Sequence, residues 1–422
     1  MKKSLLLLTS IIFSLTLSAQ FSNDVAITLL SPAPGTYCDG SSMVTATVSN
    51  MDAVNPTNGA VMVELYIDGI AIITIPTSGP LAGGGSEAIP LGPLAGKVGK
   101  HTFSAVAVYP GDINAGNNSL SNTVFLQFNG TYTIGPNIND HFSSLKMAVD
   151  TINTYGLCGP TVINCQAGHT ETNSNILLNT LTTSAANTLT FNGNGAIITS
   201  ANGISALLDG ILKVAGTDYV TVSSFTFRQD PAAANKMEWG VAILKQSGTE
   251  GSQNITIEDC IIRLDRTNTG STGIYSANHT TAATTALTVT AFSGTNSNLH
   301  FYNNTIDSCF TGIQVRAYND ISPFNYYDHD INIGAAGKGN SITNYGFGGT
   351  SAYAITTLNV DLLYISHNTM YNGAGCTSTL RGIYLQTASN SAAEVNHNTI
   401  SLNSGAAGSL CAAIESSMGG SG

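Results

Sequence analysis

"YISHNTMYNGAG" at 364–375 is answered about thirty residues later by "EVNHNTISLNSG" at 394–405. Each runs through an apolar residue, two polar residues, Asn-Thr and a second apolar residue. Aligned on that pattern, Ile257–Cys260–Ile262, Phe301–Asn304–Ile306, Ile365–Asn368–Met370 and Val395–Asn398–Ile400 superimpose. "INIGAAGKGNSI" joins them if a loop is inserted between Ile333 and Asn340, with Ile342 closing the pattern. "VTVSSFTF" supplies an Asn-free version at Val222, Phe225 and Phe227. A second segment alternates with the first: "GVAIL" at 240, "GIYSA" at 273, "GIQVR" at 312, "AITTL" at 354, "GIYLQ" at 382 and "AAIES" at 412. Its steps run from 28 residues (354 to 382) to 42 (312 to 354). This is an internal repeat with a drifting period.

Each repeat holds two or three short strands and cannot bury its apolar face alone, so successive coils must stack. Stacking brings equivalent residues about 4.8 Å apart, with Ile over Ile and Asn over Asn. Asn tolerates left-handed backbone at a bend, and its amide bonds to the Asn above and below. The expected ladder is Asn304, Asn340, Asn368 and Asn398, ended by Cys260 as a small buried substitute. The expected fold is all-β. The repeats resemble a right-handed parallel β-helix of the pectin-lyase-like superfamily over 131–422. "GPTVINCQAGHTETNSNILL", "NTLTFNGNG" and "LKVAGTDYVTVSSFTF" are similar to opening coils in large exported surface proteins of Gram-negative bacteria. That resemblance implies a fold and leaves activity open, because the superfamily holds polysaccharide lyases, epimerases and noncatalytic adhesins.

Ahead of the repeats, Lys2 and Lys3 precede an apolar run from Leu5 to Leu17, and "LSAQ" follows. This reads as a signal peptide over 1–19, cut near Ala19, and it implies a secreted or cell-surface location. The run is shorter than the ~20 residues a membrane span needs, and no later segment is long and apolar enough to span. Residues 20–130 carry short alternating segments such as "SMVTATVSN" and "AVMVELYIDG", the pattern of a β-sandwich. "GKHTFSAVAVYPGDINAGNNSLSNT" resembles the last hairpin of CARDB-type immunoglobulin-like modules of bacterial surface proteins. Asp112, Asn114 and Asn117 there have the spacing of calcium ligands, though an Asx-rich hairpin turn explains them more simply. "DHFSSLKMAVDTINTYG" is the helix candidate, with Phe142, Leu145, Ala148, Val149 and Ile152 at helical spacing and Gly156 as its stop.

Without the leader's two lysines the chain carries 12 basic residues against 25 acidic ones, a net charge near −13. That disfavours nucleic acid and anionic lipid as partners. Charged residues make up only 9%, so Asn, Thr, Ser and Gly must cover the surface. Seven cysteines cannot all pair. Cys158 and Cys165 flank a strand too long for a bridge, whereas Cys376 and Cys411 each precede a repeated strand and could meet on adjacent coils.

The catalytic candidate is "NYYDHDIN" at 325–332, where Tyr327, Asp328, His329 and Asp330 bring hydroxyl, acid and base together, somewhat as in an alginate-epimerase site. Strand alternation, however, points Asp328 and Asp330 to one face and His329 to the other. Arg263, Asp265 and Arg266 read as a solvated ion-pair edge. His367 and His397 share one column and could share a metal, but no third ligand type is evident. Tyr275, Tyr302, Tyr326, Tyr327, Tyr364, Tyr371 and Tyr384 lie on or between repeat strands, where packing is the ordinary use of a tyrosine. No cofactor is required, with calcium as the one candidate. The expectation is an exported adhesin-like or structural repeat protein that binds glycans or surface polymers weakly along one face. A polysaccharide lyase or uronate epimerase at 327–330 is the alternative. Residues 408–422 begin a repeat without capping it, which points to further chain beyond residue 422.

Overall fold

A computed structural model describes residues 23–96, 98–203, 208–389, 391–405 and 408–419. The leader expected at 1–19 lies outside the described residues. The regular structure of the described chain is almost entirely β, and the chain divides into two compact units between Gln127 and Phe128.

In the first unit, Val25–Ser31, Met43–Asn50 and Ser86–Pro93 form one antiparallel sheet. Ala60–Ile67, Ile70–Pro80, Gly99–Val108 and the stretch from Ser119 to Gln127 form a second. Alternation sets the inner faces. Val44, Ala46 and Val48 from one sheet and Val61, Val63 and Leu65 from the other enter a single core. Cys38 is disulfide-bonded, as is Cys158 in the second unit.

In the second unit, three sheets are built from parallel strands in strict rotation. One runs from Leu157–Cys165 to Ala393–Asn396, a second from Thr170–Thr172 to Thr399–Ser401, and a third from Ile176–Leu178 to Cys411–Ser416. The second and third have eight strands each. This is an arrangement compatible with a parallel β-helix. The register stacks like on like: Ile257, Phe301, Ile333, Ile365 and Val395 pair in order, as do Ile262, Ile306, Ile342, Met370 and Ile400. The third column is Val241, Ile274, Ile313, Ile355, Ile383 and Ile414. All but the last coil's members of these columns are nearly or fully buried.

The Gly repeated near the start of several third-sheet strands, at 240, 273, 312 and 382, has a steric cause. A Cβ on Gly273 would lie 2.5 Å from Ile306 Cγ2 and 2.7 Å from the Gly312 carbonyl, so only Gly lets the chain pass the neighbouring column. The helix forms at Leu145–Tyr155, starting later than Phe142. Ser144 caps it by accepting from Met147 N, and Glu171 accepts from Leu145 N at 2.7 Å.

Two expectations are corrected. The ladder asparagines do not take the left-handed bend. The residue before each of three of them does: Asn303, His367 and His397 have φ of 51°, 60° and 51°. The bend thus tolerates several residue types, and Asn is needed for its amide. Cys376 and Cys411 are both free thiols. Cys411 pairs with Leu380, four residues past Cys376, so the two do not share a register position.

Candidate functional site

The most elaborate feature of the second unit is a groove of about 690 Å³ on the outer face of the third sheet. Its floor comes from Trp239–Leu244, Thr272–Ala277 and Thr311–Arg316. The first two strands are buried on both faces, which explains near-continuous apolar sequences such as "WGVAIL". Outside the main core, Trp239, Ala242, Leu244, Tyr275 and Ala277 make a second cluster. Trp239 and Tyr275 stack with ring centroids 4.7 Å apart. Walls are supplied by the two segments that lengthen the repeat, one including Thr284 and Leu287 and the other Tyr318 and Asn319.

Polar groups converge on this floor. His279 Nδ1 lies 2.7 Å from the Thr280 carbonyl and so carries the ring proton, while Nε2 accepts from the Tyr275 hydroxyl at 3.1 Å. Burial lowers the His279 pKa, opposed by its hydrogen bond to Thr280 and assisted by the charge of Arg316. Burial likewise raises Tyr275 and Glu238, the latter opposed by a hydrogen bond from Asp209 N and assisted by the Asp209 charge. The side chains of Gln314, Arg316, Asn319 and Asn359 line the groove and form no hydrogen bond or ion pair with other described residues. Asn359 is only 5% exposed. Further along the same face, Tyr353 and Tyr384 stack at 5.6 Å, with Arg381 lying 4.4 Å over Tyr384 and paired with Glu415.

The sequence singled out Tyr275 and Tyr384 but missed Trp239, Arg316 and the amides. Their signal was the drifting period: the longest steps, 273 to 312 and 312 to 354, carry the extra residues that become walls.

The 327–330 cluster is split. Tyr327 is buried, and its hydroxyl accepts from Ser389 N at 3.2 Å. Asp328 is fully buried against Lys245 at 3.0 Å and accepts from Asn296 N at 2.8 Å. Lys245 also donates to the Gly294 carbonyl, and burial lowers its pKa against the pull of Asp328. His329 and Asp330 face outward together, 2.7 Å apart. The alternation expected here fails because Asp330 has φ 56°, in a column of left-handed residues with Asn254 and Asn298, which precede their strands, and Leu362, which like Asp330 lies inside its own.

The Asn column is continuous. Asn304 N and Nδ2 donate to Asn340 Oδ1, Asn340 N and Nδ2 to Asn368 Oδ1, and Asn368 N and Nδ2 to Asn398 Oδ1, all between 2.8 and 3.0 Å. Cys260 N donates to Asn304 Oδ1 at its end. Burial pushes the thiols of Cys165, Cys260 and Cys309 up to about 12, so they do not serve as nucleophiles. His367 and His397 stack at 4.8 Å with planes 9° apart. Asp112 Oδ1 accepts from Asn114 N in an Asx turn, and Asn117 Nδ2 donates to Asp24. Arg263 pairs with Asp307 at 3.6 Å, Asp265 with Lys236 at 3.7 Å, and Arg266 lies over Phe347. Among the described residues, no three His, Cys, Asp or Glu side chains gather as a metal set, and no helix is long and apolar enough to cross a membrane.

No family model, curated protein or solved structure matches the chain.

Proposed function

We propose that this chain is an exported cell-surface protein of adhesin-like or structural kind. On this reading a CARDB-like immunoglobulin-like module precedes a right-handed β-helix of pectin-lyase-like type, and the outer face of the third sheet meets glycans or surface polymers. The observation that carries the reading is the row of exposed or half-exposed polar and aromatic side chains on that face. It runs from Gln314 and Arg316 to the Tyr353–Tyr384 stack with Arg381. Flat rings and planar amides spaced by the coil repeat suit repeated contacts with a polymer. Burial of Asp328 against Lys245 leaves the lyase or epimerase reading with the His329–Asp330 pair alone.

Binding spread over a stack gains from multivalency, because linked contacts raise avidity without new chemistry. The test is a glycan array probed with monomeric and multimerised protein. Multimer-dependent binding, with no unsaturated-uronate absorbance on pectin, pectate or alginate, is the expected result. Turnover that disappears in Asp330→Asn or His329→Ala would overturn it.

A further inference from the structure

We propose that the groove over Trp239 and Tyr275 is a discrete site for a neutral saccharide of two or three rings, held by its hydroxyl groups. The inference rests on the glycan-binding reading and adds to it a location and a ligand class.

Three features select that class. The first is size: about 690 Å³ falls within the range of small-molecule sites. The second is the polar inventory. Gln314, Asn319 and Asn359 present carboxamides that the protein leaves unused, and Asn359 does so while almost entirely buried. Asn278, which also lines the groove, adds a buried Oδ1 that accepts from no described residue, while its Nδ2 donates to the Leu287 carbonyl. A carboxamide offers donors and acceptors together, and a hydroxyl answers both. A carboxylate would satisfy Arg316 but would leave every amide acceptor unmet. The third is charge. Arg316 is the one Arg or Lys in the lining, which also holds Glu238, and the His279 pKa is lowered by burial, so no cationic cluster awaits an acidic sugar. Arg316 donates to hydroxyl lone pairs, and its neighbour Asn278 is one strand away, with Asn278 N bonded to the Arg316 carbonyl at 2.9 Å. Two adjacent ring hydroxyls span such a pair. Leu287, half-buried, supplies apolar surface for the ring's C–H face, with the nearly buried Trp239–Tyr275 stack beneath the groove.

Trp239 is the chain's single tryptophan, so its emission reports on this groove alone among indoles. The full chain is titrated with neutral trisaccharides of glucose, galactose and mannose, their per-O-methylated forms, and trigalacturonate. A saturable change with at least one neutral trisaccharide is expected. The methylated form, which cannot donate, should give none. Gln314→Ala and Arg316→Ala replace side chains that form no hydrogen bond or ion pair with other described residues, and each should weaken binding at least tenfold, about 1.4 kcal/mol. A response to trigalacturonate alone, or equal affinity in both variants, overturns the neutral-saccharide site. No groove response together with positive array binding overturns the groove and leaves the glycan face standing. Silence in both assays overturns both.

Discussion

Asn368→Leu tests whether the amide column holds the coils together. Asn368 is 1% exposed and takes part in four side-chain hydrogen bonds. Its Oδ1 accepts from Asn340 N and Nδ2 at 3.0 and 2.8 Å, and its Nδ2 donates to Asn398 Oδ1 and the Ile333 carbonyl at 2.9 and 2.7 Å. Leucine removes all four. Asn340 Nδ2 keeps the Phe301 carbonyl and Asn398 Oδ1 keeps Asn368 N, so both remain partnered. The Asn340 N–H and the Ile333 carbonyl lose those bonds inside the stack. At about 1–3 kcal/mol for each of these two buried groups, offset by roughly 1 kcal/mol of added apolar burial, the net cost is about 1–5 kcal/mol. For a unit this large, at about 2 °C per kcal/mol, that lowers Tm by about 2–10 °C.

Asn368→Asp separates hydrogen bonding from size. It keeps one acceptor oxygen but sets a second against Asn398 Oδ1 and the Ile333 carbonyl. Burial raises the folded-state pKa of such a carboxyl above its unfolded value, so the variant's stability is greatest below the unfolded pKa and is lost as pH rises through the folded one. Thermal melts by circular dichroism over a pH series read both effects. An unchanged Tm in Asn368→Leu, or an Asn368→Asp variant insensitive to pH, would refute the reasoning.

Breaking the Lys245–Asp328 pair with Asp328→Ala leaves an ammonium group in a site with no exposure, at a cost of about 3–5 kcal/mol. Adding Lys245→Met should recover much of it in urea unfolding, and a double variant no better than the single would refute the pairing. His279 has its pKa lowered by burial, as does His300. The unfolded chain therefore binds these protons first, and stability should fall as pH drops below about 6.5. His279→Gln, which offers one donor and one acceptor, should flatten that slope in a melt series; an unaltered slope would show that His279 does not contribute to it.

The apolar columns were legible because a stack repeats its demands. Each coil needs an aliphatic residue at the same register, so Ile257, Ile333 and Ile365 announce themselves by spacing alone. The amide column was legible for the same reason, since Asn304 and Asn398 meet the same chemical need. Features that occur once leave no such trace. Lys245 and Asp328 are 83 residues apart. Asp328 ends a short column with Ser252 and Asn296, whose backbone N–H groups donate to Asn296 Oδ1 and Asp328 Oδ1, but nothing local marks Lys245 as its partner. Asp328 instead invited a catalytic reading through its neighbours in sequence, which a left-handed residue at 330 turns away from it.

The groove lies between these cases. The added length that builds its walls is visible in the repeat steps, but its direction is not, because an insertion leaves the core register unchanged whichever side it lies on. His367 and His397 show the reverse hazard. Their parallel rings follow from consecutive left-handed bends in one column, a position that Ser224, Asp259 and Asn303 fill elsewhere. Periodicity aligns side chains whether or not a ligand needs them. In a stacked fold, a repeated pair is therefore weak evidence of a site, and a break in the period is the better place to look.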